Sequence, residues 1–208
     1  MRIAREGWPF IGGAWLLEVS FLGLGLTTAA VVFLPVAVWV VAFFRDPERH
    51  GPRGDRLVIA PADGLVVSVR TIDEPAFHGK EVRRVSIFMN VFDVHVNRYP
   101  VSGTIAYRAY VPGAFLNAAG EKASLENEQS SVGITTPRGK VLVRQIAGLV
   151  ARRIVTDHEQ GAAVRQGDRM GLIRFGSRVD VFLPLDATVK VAEGERTVAG
   201  VTVIAEWA

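Results

Sequence analysis

The 208-residue chain has no cysteine, and only 4 of its 24 basic residues are lysine. Without cysteine, a disulfide framework, a thiolate zinc or iron–sulfur centre and a cysteine nucleophile are excluded. With 49% hydrophobic residues, the chain is too apolar to be a disordered protein. A net charge of +3 suits an anionic membrane surface as well as nucleic acid. The length allows one compact domain with an appendage.

Charge is nearly missing from residues 10–44, where Glu18 is the only charged side chain. This run exceeds the roughly 20 residues of one transmembrane helix and falls short of two full spans, so a helical hairpin is expected. Gly23 and Gly25 lie near its midpoint, where the chain would turn. A cleavable signal peptide has an apolar stretch of only about 7 to 15 residues, so we expect this segment to be retained.

Arginine flanks the apolar run on both sides, with Arg2 and Arg5 before it and Arg45 and Arg49 after it. Both ends are therefore expected on the cytoplasmic side. Residues 1–44 are predicted to form a membrane-associating hairpin at the cell membrane, either peripheral or anchored by the hairpin. The alternative is a buried helical pair in a soluble fold, but a domain of this size has little interior to cover it.

The remaining residues, 45–208, contain short β-like runs separated by glycine and proline. Several runs alternate apolar and polar residues, as strands with one buried face do. No long segment with helical periodicity follows the N-terminal run. The pattern predicts a mainly β body, either a sandwich or a barrel. The predicted strands are near residues 57–60, 65–70, 85–90, 104–110, 141–146, 172–175, 179–183 and 201–205.

Three short motifs near these strands carry groups that suit catalysis. They contain Asp63 in a PADG turn, His95 in a DVHVNR segment and Ser177 in an RFGSR segment. Each signal alone is weak, because an aspartate-glycine pair is a common turn and a single histidine is more often packed than catalytic. Together they supply an acid, an imidazole and a hydroxyl, the set that activates a serine nucleophile. The remaining histidines belong to no motif and are expected on the surface: His50, His78 and His158.

Six segments carry a more specific pattern: residues 44–49 (FRDPER), 61–64 (PADG), 93–98 (DVHVNR), 127–128 (NE), 145–154 (QIAGLVARRI) and 167–177 (GDRMGLIRFGS). Together they resemble the phosphatidylserine decarboxylase proenzymes, in particular the short bacterial and archaeal form of that family. The segment that ends in Gly176 and Ser177 is the most diagnostic. A hydrophobic segment directly before the arginine-rich stretch also suits the family.

The resemblance implies an enzyme that makes its own cofactor. In the family, the serine of the glycine-serine pair attacks the preceding carbonyl, and β-elimination then breaks the chain and leaves a pyruvoyl group. Here the cleavage would separate Gly176 from Ser177 and give a large chain, 1–176, and a small chain, 177–208, that stay associated. His95 polarised by Asp63 is the expected base.

The mature reaction implied by the resemblance converts phosphatidylserine to phosphatidylethanolamine and carbon dioxide, through a Schiff base on the pyruvoyl ketone. Neither a metal nor pyridoxal phosphate is expected. Where many family members have a second histidine, this chain has Arg98, which cannot act as a base. Arg98 becomes a candidate ligand for the phosphate or carboxylate of the substrate, and Glu128 is a further candidate for substrate binding.

Two other functions fit the same sequence. A membrane-tethered β adaptor of the lipoyl kind would need an exposed lysine at a hairpin tip, and Lys140 is the only lysine near such a turn. A serine hydrolase would use Ser177, His95 and Asp63 without breaking the chain. Membrane lipid is the expected partner, nucleic acid is not, and a homo-oligomer is left open.

Overall fold

The structure is a computed structural model that describes residues 2–113, 127–148, 153–174 and 176–208. The chain divides into two compact units, Met1–Glu48 and Arg49–Ala208. The N-terminal unit contains the predicted helical hairpin. Its elements are β1 (Arg2–Ile3), a 3-10 helix (Arg5–Gly7), α1 (Trp8–Gly23), α2 (Thr27–Phe43) and β2 (Arg45–Asp46).

The hairpin closes at both ends for identifiable reasons. Between the helices, Gly25 has a φ of 72°, the left-handed conformation that glycine adopts at little cost. At the other end, β1 and β2 pair antiparallel. A Cβ atom on Gly7 would collide with the ring of Phe44, so only glycine allows this close approach.

Many large apolar side chains of the hairpin are exposed, among them Leu16 at 70% and Leu24 at 74%. An apolar surface of this kind is unusual for a protein in water and indicates contact with a partner or a membrane. Within the described ranges, no helix is long and apolar enough to cross a membrane.

The second unit is built from short antiparallel strands. Their bounds are β3 (Leu57–Ile59), β4 (Gly64–Glu74), β5 (Lys80–Met89), β6 (Val96–Arg98), β7 (Gly103–Val111), β8 (Gln129–Thr136), β9 (Gly139–Ala147), β10 (Arg153–Thr156), β11 (Ala163–Val164), β12 (Arg169–Arg174), β13 (Ser177–Leu183), β14 (Ala187–Val189), β15 (Arg196–Thr197) and β16 (Val203–Trp207).

These strands form three sheets. The largest is a curled half-barrel with the order β11-β7-β8-β9-β13-β5-β4-β15. Two three-stranded sheets, β10-β12-β6 and β14-β16-β3, complete the unit. The mainly β fold predicted from the sequence is therefore confirmed.

Strand β13 lies in the middle of the large sheet, between β9 and β5. All seven of its residues are buried, because both faces of the strand are covered. Val179 and Val181 face the main core, and each fully buried valine side chain contributes about 1.5 to 3 kcal/mol relative to an exposed one. Burial along its whole length therefore anchors β13, which begins at Ser177, in the core.

The expectation that His78 lies on the surface is wrong. Its side chain is only 1% exposed, and its Nδ1 lies 3.3 Å from the carboxylate of Glu74. The same carboxylate accepts the backbone N–H groups of residues 76–78, in the turn between β4 and β5. The turn therefore folds around Glu74 and takes His78 with it.

Candidate active site at the Gly176-Ser177 junction

Ser177 is the first residue of the central strand β13 and is completely buried. In the ladder it pairs with Met89 on one side and with Ala147 on the other. Its hydroxyl donates to the sulfur of Met89 at 3.5 Å. The serine is thus held between two strand ends, at one end of the large sheet.

Gly176 precedes the strand and has a φ of 65°. A Cβ atom at this position would meet only Val91, at 3.8 Å, so space does not require glycine. The backbone conformation does, because a left-handed conformation costs other residues roughly 1–2 kcal/mol. The chain therefore turns sharply at the bond that the resemblance implies is cleaved.

His95 is brought to this junction and is completely buried. The backbone N–H of Gly176 donates to His95 Nε2 at 3.2 Å, and Nδ1 lies 3.0 Å from the backbone carbonyl oxygen of Asp93. Because an N–H can only donate and a carbonyl can only accept, Nε2 carries the lone pair and Nδ1 carries the proton. The local backbone thereby sets the tautomer of the imidazole.

Asp63 has different partners from those expected. Its Oδ2 accepts from Arg49 at 2.7 Å, and its Oδ1 accepts the backbone N–H of Ala199 at 2.7 Å. The expected polarisation of His95 by Asp63 is therefore corrected, since the Asp93 carbonyl takes that place. A catalytic role for Asp63 stays a prediction.

Arg98 lies in the neighbourhood of Asp63 and Arg49. Arg98 Cδ and Arg49 Cβ both flank Gly200, and the Arg98 guanidinium donates to the carbonyl of Gly167 at 3.1 Å. Because side chains alternate along a strand, Arg98 lies on the face of β6 opposite to Asn97. Substrate binding by Arg98 stays a prediction.

Glu128 lies at the same end of the large sheet as Ser177. Its backbone carbonyl accepts the N–H of Ala147, the residue that pairs with Ser177. Since neighbouring strands are about 4.8 Å apart, Glu128 is about 10 Å from the serine along the sheet. The Glu128 carboxylate accepts from the hydroxyl of Tyr110 at 3.0 Å, and this hydrogen bond raises the pKa of Tyr110.

Arg178, directly after the serine, is buried in a two-pronged ion pair. Its Nε donates to Asp180 Oδ1 at 2.7 Å and its Nη2 to Oδ2 at 2.8 Å. Asp180 is on the same strand and completely buried. Two parallel charge-assisted hydrogen bonds fix the start of β13 on the face away from Ser177.

The sequence interpretation missed a group of buried and half-buried polar residues that reaches the Met89 contact of the serine. Asn97, Gln145 and Thr156 form hydrogen bonds that end at Met89. A usable signal existed, because Asn97 is two residues after His95 and shares its face of the chain. Within the described part of the chain, no group of three His, Asp or Glu side chains could hold a metal ion.

Comparisons with known proteins identify the family of this chain. The family model of phosphatidylserine decarboxylase matches residues 36–205. A phosphatidylserine decarboxylase proenzyme from Symbiobacterium thermophilum is 51% identical over 203 residues, covering 97% of this chain and 94% of the relative. One from Magnetococcus marinus is 46% identical over 209 residues, covering 96% and 93%.

The class of enzyme that these comparisons define is the carboxy-lyases. The chain belongs to the phosphatidylserine decarboxylase family, and the resemblance drawn from its motifs is confirmed.

Proposed function

We propose that the chain is a proenzyme that cleaves itself between Gly176 and Ser177 and then decarboxylates phosphatidylserine to phosphatidylethanolamine. The observation that carries the proposal is the junction itself. A buried serine follows a left-handed glycine, and the imidazole of His95 contacts the glycine backbone. The names of the two relatives support both the substrate and the proenzyme state.

In the proposed cleavage, Ser177 Oγ attacks the carbonyl carbon of Gly176, and the bond to the Ser177 nitrogen breaks as an ester forms. The hydroxyl proton leaves Oγ, and the released amine gains a proton. Removal of the Ser177 Cα proton then breaks the Cβ–Oγ bond and expels the Gly176 carboxylate. Water displaces the nitrogen of the resulting dehydroalanine as ammonia and leaves a ketone.

His95 is the proposed base for these proton transfers. Its Nε2 carries the lone pair and already contacts the peptide that precedes the attacked carbonyl. When Nε2 takes up a proton, Nδ1 keeps its hydrogen bond to the Asp93 carbonyl, which stabilises the imidazolium that forms. Asp63 is proposed to act at a distance, because its ion pair with Arg49 fixes the turn at residues 61–64.

The residues around Ser177 fit a pyruvoyl group, which is small and has two oxygen acceptors. The position is buried, the Met89 sulfur accepts both the Ser177 hydroxyl and the Asn97 amide, and His95 Nε2 accepts the N–H of the adjacent Gly176. When present, this group supplies the electron acceptor for loss of carbon dioxide. His95 Nε2 is proposed to hold the proton that the substrate carbon then receives. Glu128 is proposed to line the substrate side of the same sheet end.

The two products of cleavage are expected to stay together. The small chain would begin with β13, which is hydrogen-bonded to β9 and β5 over nearly its whole length. It would also contain β15, paired with β4, and β16, paired with β3. Separation would therefore break the sheets and expose the core.

A lipid substrate agrees with the exposed apolar surface of the hairpin, and we propose that the hairpin attaches the protein to the membrane. Two further apolar side chains from segments near this sheet end are exposed: Phe92, three residues after Met89, at 72% and Tyr110, which donates to Glu128, at 60%. Such side chains give the acyl chains of a phospholipid an apolar surface next to the site.

The two rival functions have less support. A serine hydrolase would need an acid on the imidazole, but the carboxylate of Asp63 is held by Arg49. A lipoyl-type carrier would need an extended lysine, but Lys140 donates to the carbonyl of Phe77 at 2.9 Å and lies over its ring.

The proposal is tested by expressing the wild-type chain and a Ser177→Ala variant. The wild type should give two bands on a denaturing gel and release carbon dioxide from phosphatidylserine vesicles, whereas the variant should give one band and no carbon dioxide. A fluorophosphonate probe should not label the processed wild type, since the serine hydroxyl is gone. A wild type that remains one band and is labelled would support the hydrolase.

A further inference from the structure

Five side chains, four of them buried and Thr156 half-buried, form one hydrogen-bonded chain that ends at the Met89 sulfur, where the Ser177 hydroxyl also donates. The distances are 2.9 Å from Ser130 to Thr156, 3.0 Å from Thr156 to Gln145, 2.8 Å from Gln145 to Asn97 and 3.6 Å from Asn97 to the sulfur of Met89. We call this chain the Asn97 relay. It crosses from the large sheet to the β10-β12-β6 sheet and back twice.

The direction of the hydrogen bonds follows from the sulfur atom at the end. A thioether has no proton to donate, so Asn97 must present its Nδ2–H to Met89 and its Oδ1 to Gln145. Gln145 then donates through Nε2 and accepts through Oε1 from the single hydroxyl proton of Thr156. Every donor therefore points toward Met89, and aligned hydrogen bonds of this kind strengthen one another.

The hydrogen bonds at the Met89 end of the Asn97 relay are poorly satisfied. Two donors, Asn97 Nδ2–H and the Ser177 hydroxyl, meet on one thioether sulfur, which is a weak acceptor. Asn97 and Gln145 are completely buried, where a poorly satisfied amide donor carries a desolvation cost. A core residue of any apolar kind would avoid this cost.

We propose that Asn97 is the hydrogen-bond donor for the ketone oxygen that arises when Ser177 loses its hydroxyl. This inference rests on the proposed conversion of Ser177 to a pyruvoyl group. The conversion removes one of the two donors from the sulfur and creates a strong oxygen acceptor at the same residue. Donation from Asn97 then polarises the ketone toward the substrate amine and stabilises negative charge that develops on its oxygen.

The relay beyond Asn97 has a positioning role. Gln145 holds the Asn97 amide in the orientation that presents Nδ2–H, and Thr156 holds Gln145. A purely structural tie between the two sheets would stabilise the fold without affecting the ketone. A measurement on the ketone carbon therefore distinguishes a structural role of the Asn97 relay from a role in hydrogen bonding to the ketone.

The test uses full-length protein labelled with [2-13C]serine. The α-carbon of a serine becomes a ketone only in the pyruvoyl group, so one ketone resonance is expected in the 13C spectrum. In Asn97→Leu, this resonance should move upfield, because a hydrogen bond to a carbonyl oxygen deshields its carbon. The kcat should fall by about 100-fold with little change in KM.

A second pair of variants covers the case in which Asn97→Leu does not fold or process. Thr156→Val removes the donor to Gln145 and should give a smaller upfield shift, whereas Thr156→Ser keeps the hydroxyl and should restore the wild-type resonance. A ketone resonance at the wild-type position in processed Asn97→Leu, or in Thr156→Val, overturns the proposal. A wild type without any ketone resonance instead overturns the conversion of Ser177, and the role of Asn97 with it.

Discussion

At the residue scale, the proposed chemistry depends on how the backbone holds one histidine. The Asp93 carbonyl and the Gly176 N–H hold opposite sides of the His95 ring, so the tautomer is set without a carboxylate. In a triad, an aspartate has this task. Here the carbonyl of Asp93, two residues before the proposed base, has it.

The first prediction concerns His95 as the base. In His95→Gln, the side-chain amide oxygen can still accept the Gly176 N–H, but it cannot take up the serine proton. The variant should therefore fold and remain a single chain, as judged by circular dichroism and a denaturing gel. The matched control is His50→Gln, at an exposed position, which should process like the wild type. Cleavage of His95→Gln at the wild-type rate would contradict the assignment.

The sequence predicted part of this site. The motifs identified His95, Gly176 and Ser177, and the structure brings all three together. The pairing of Asp63 could not be predicted, because its partners Arg49 and Ala199 are distant in sequence and compete with any histidine for the same oxygens. The position of Asn97, two residues after His95, was a usable signal, but the rest of the Asn97 relay was missed because Gln145 and Thr156 are distant in sequence and only the fold brings them to Asn97.

At the element scale, the sequence predicted strands that are rich in apolar residues. It did not predict a buried strand that begins with polar residues. All eight predicted strands are present, since their apolar residues recur at the spacing of a sheet face. Strand β8 was not predicted, although it pairs with β7 and β9 along its length. It begins with Gln129, Ser130 and Ser131, which are buried and resemble a loop in sequence.

The second prediction concerns the turn between β4 and β5. Burial of Glu74 acts to raise its pKa, but the backbone N–H groups of His78 and Phe77 outweigh burial, so the pKa lies below its ordinary value. A lowered pKa means that the charged carboxylate stabilises the folded state. This contribution is complete above the ordinary value and is lost as the pH falls through the folded-state value.

Glu74→Gln should therefore reduce the free energy of unfolding by about 1–2 kcal/mol at neutral pH, because it replaces charge-assisted hydrogen bonds with neutral ones. The difference in free energy of unfolding between Glu74→Gln and the parent should become smaller in acid. Urea unfolding on an uncleavable Ser177→Ala background measures both quantities. The exposed Glu81, changed to Gln, is the control and should have little effect. A difference that is constant with pH would refute the role of the Glu74 charge.

At the scale of the whole molecule, the chain consists of a hairpin with an exposed apolar surface and a β body. The sequence predicted both parts, because charge is missing from the first and glycine interrupts the second. Membrane attachment by the hairpin predicts that its tip enters lipid. The absence of cysteine allows a single labelled position to report on this.

The third prediction uses Leu24→Cys, at the hairpin tip, labelled with an environment-sensitive fluorophore. Its emission should shift to the blue when vesicles of phosphatidylglycerol and phosphatidylcholine are added. The matched control is Leu185→Cys, an exposed apolar position after the far end of β13, where no comparable shift is expected. Equal responses at both positions, or none at Leu24, would contradict attachment by the hairpin.

The central claim is that the bond between Gly176 and Ser177 breaks and that Ser177 loses its nitrogen. Intact-mass spectrometry of the purified protein tests it most directly. The account predicts two polypeptides, residues 1–176 and 177–208, with the smaller one lighter by one ammonia than a peptide that begins with serine. An undivided chain that still releases carbon dioxide from phosphatidylserine, or a small chain that begins with intact serine, would contradict it.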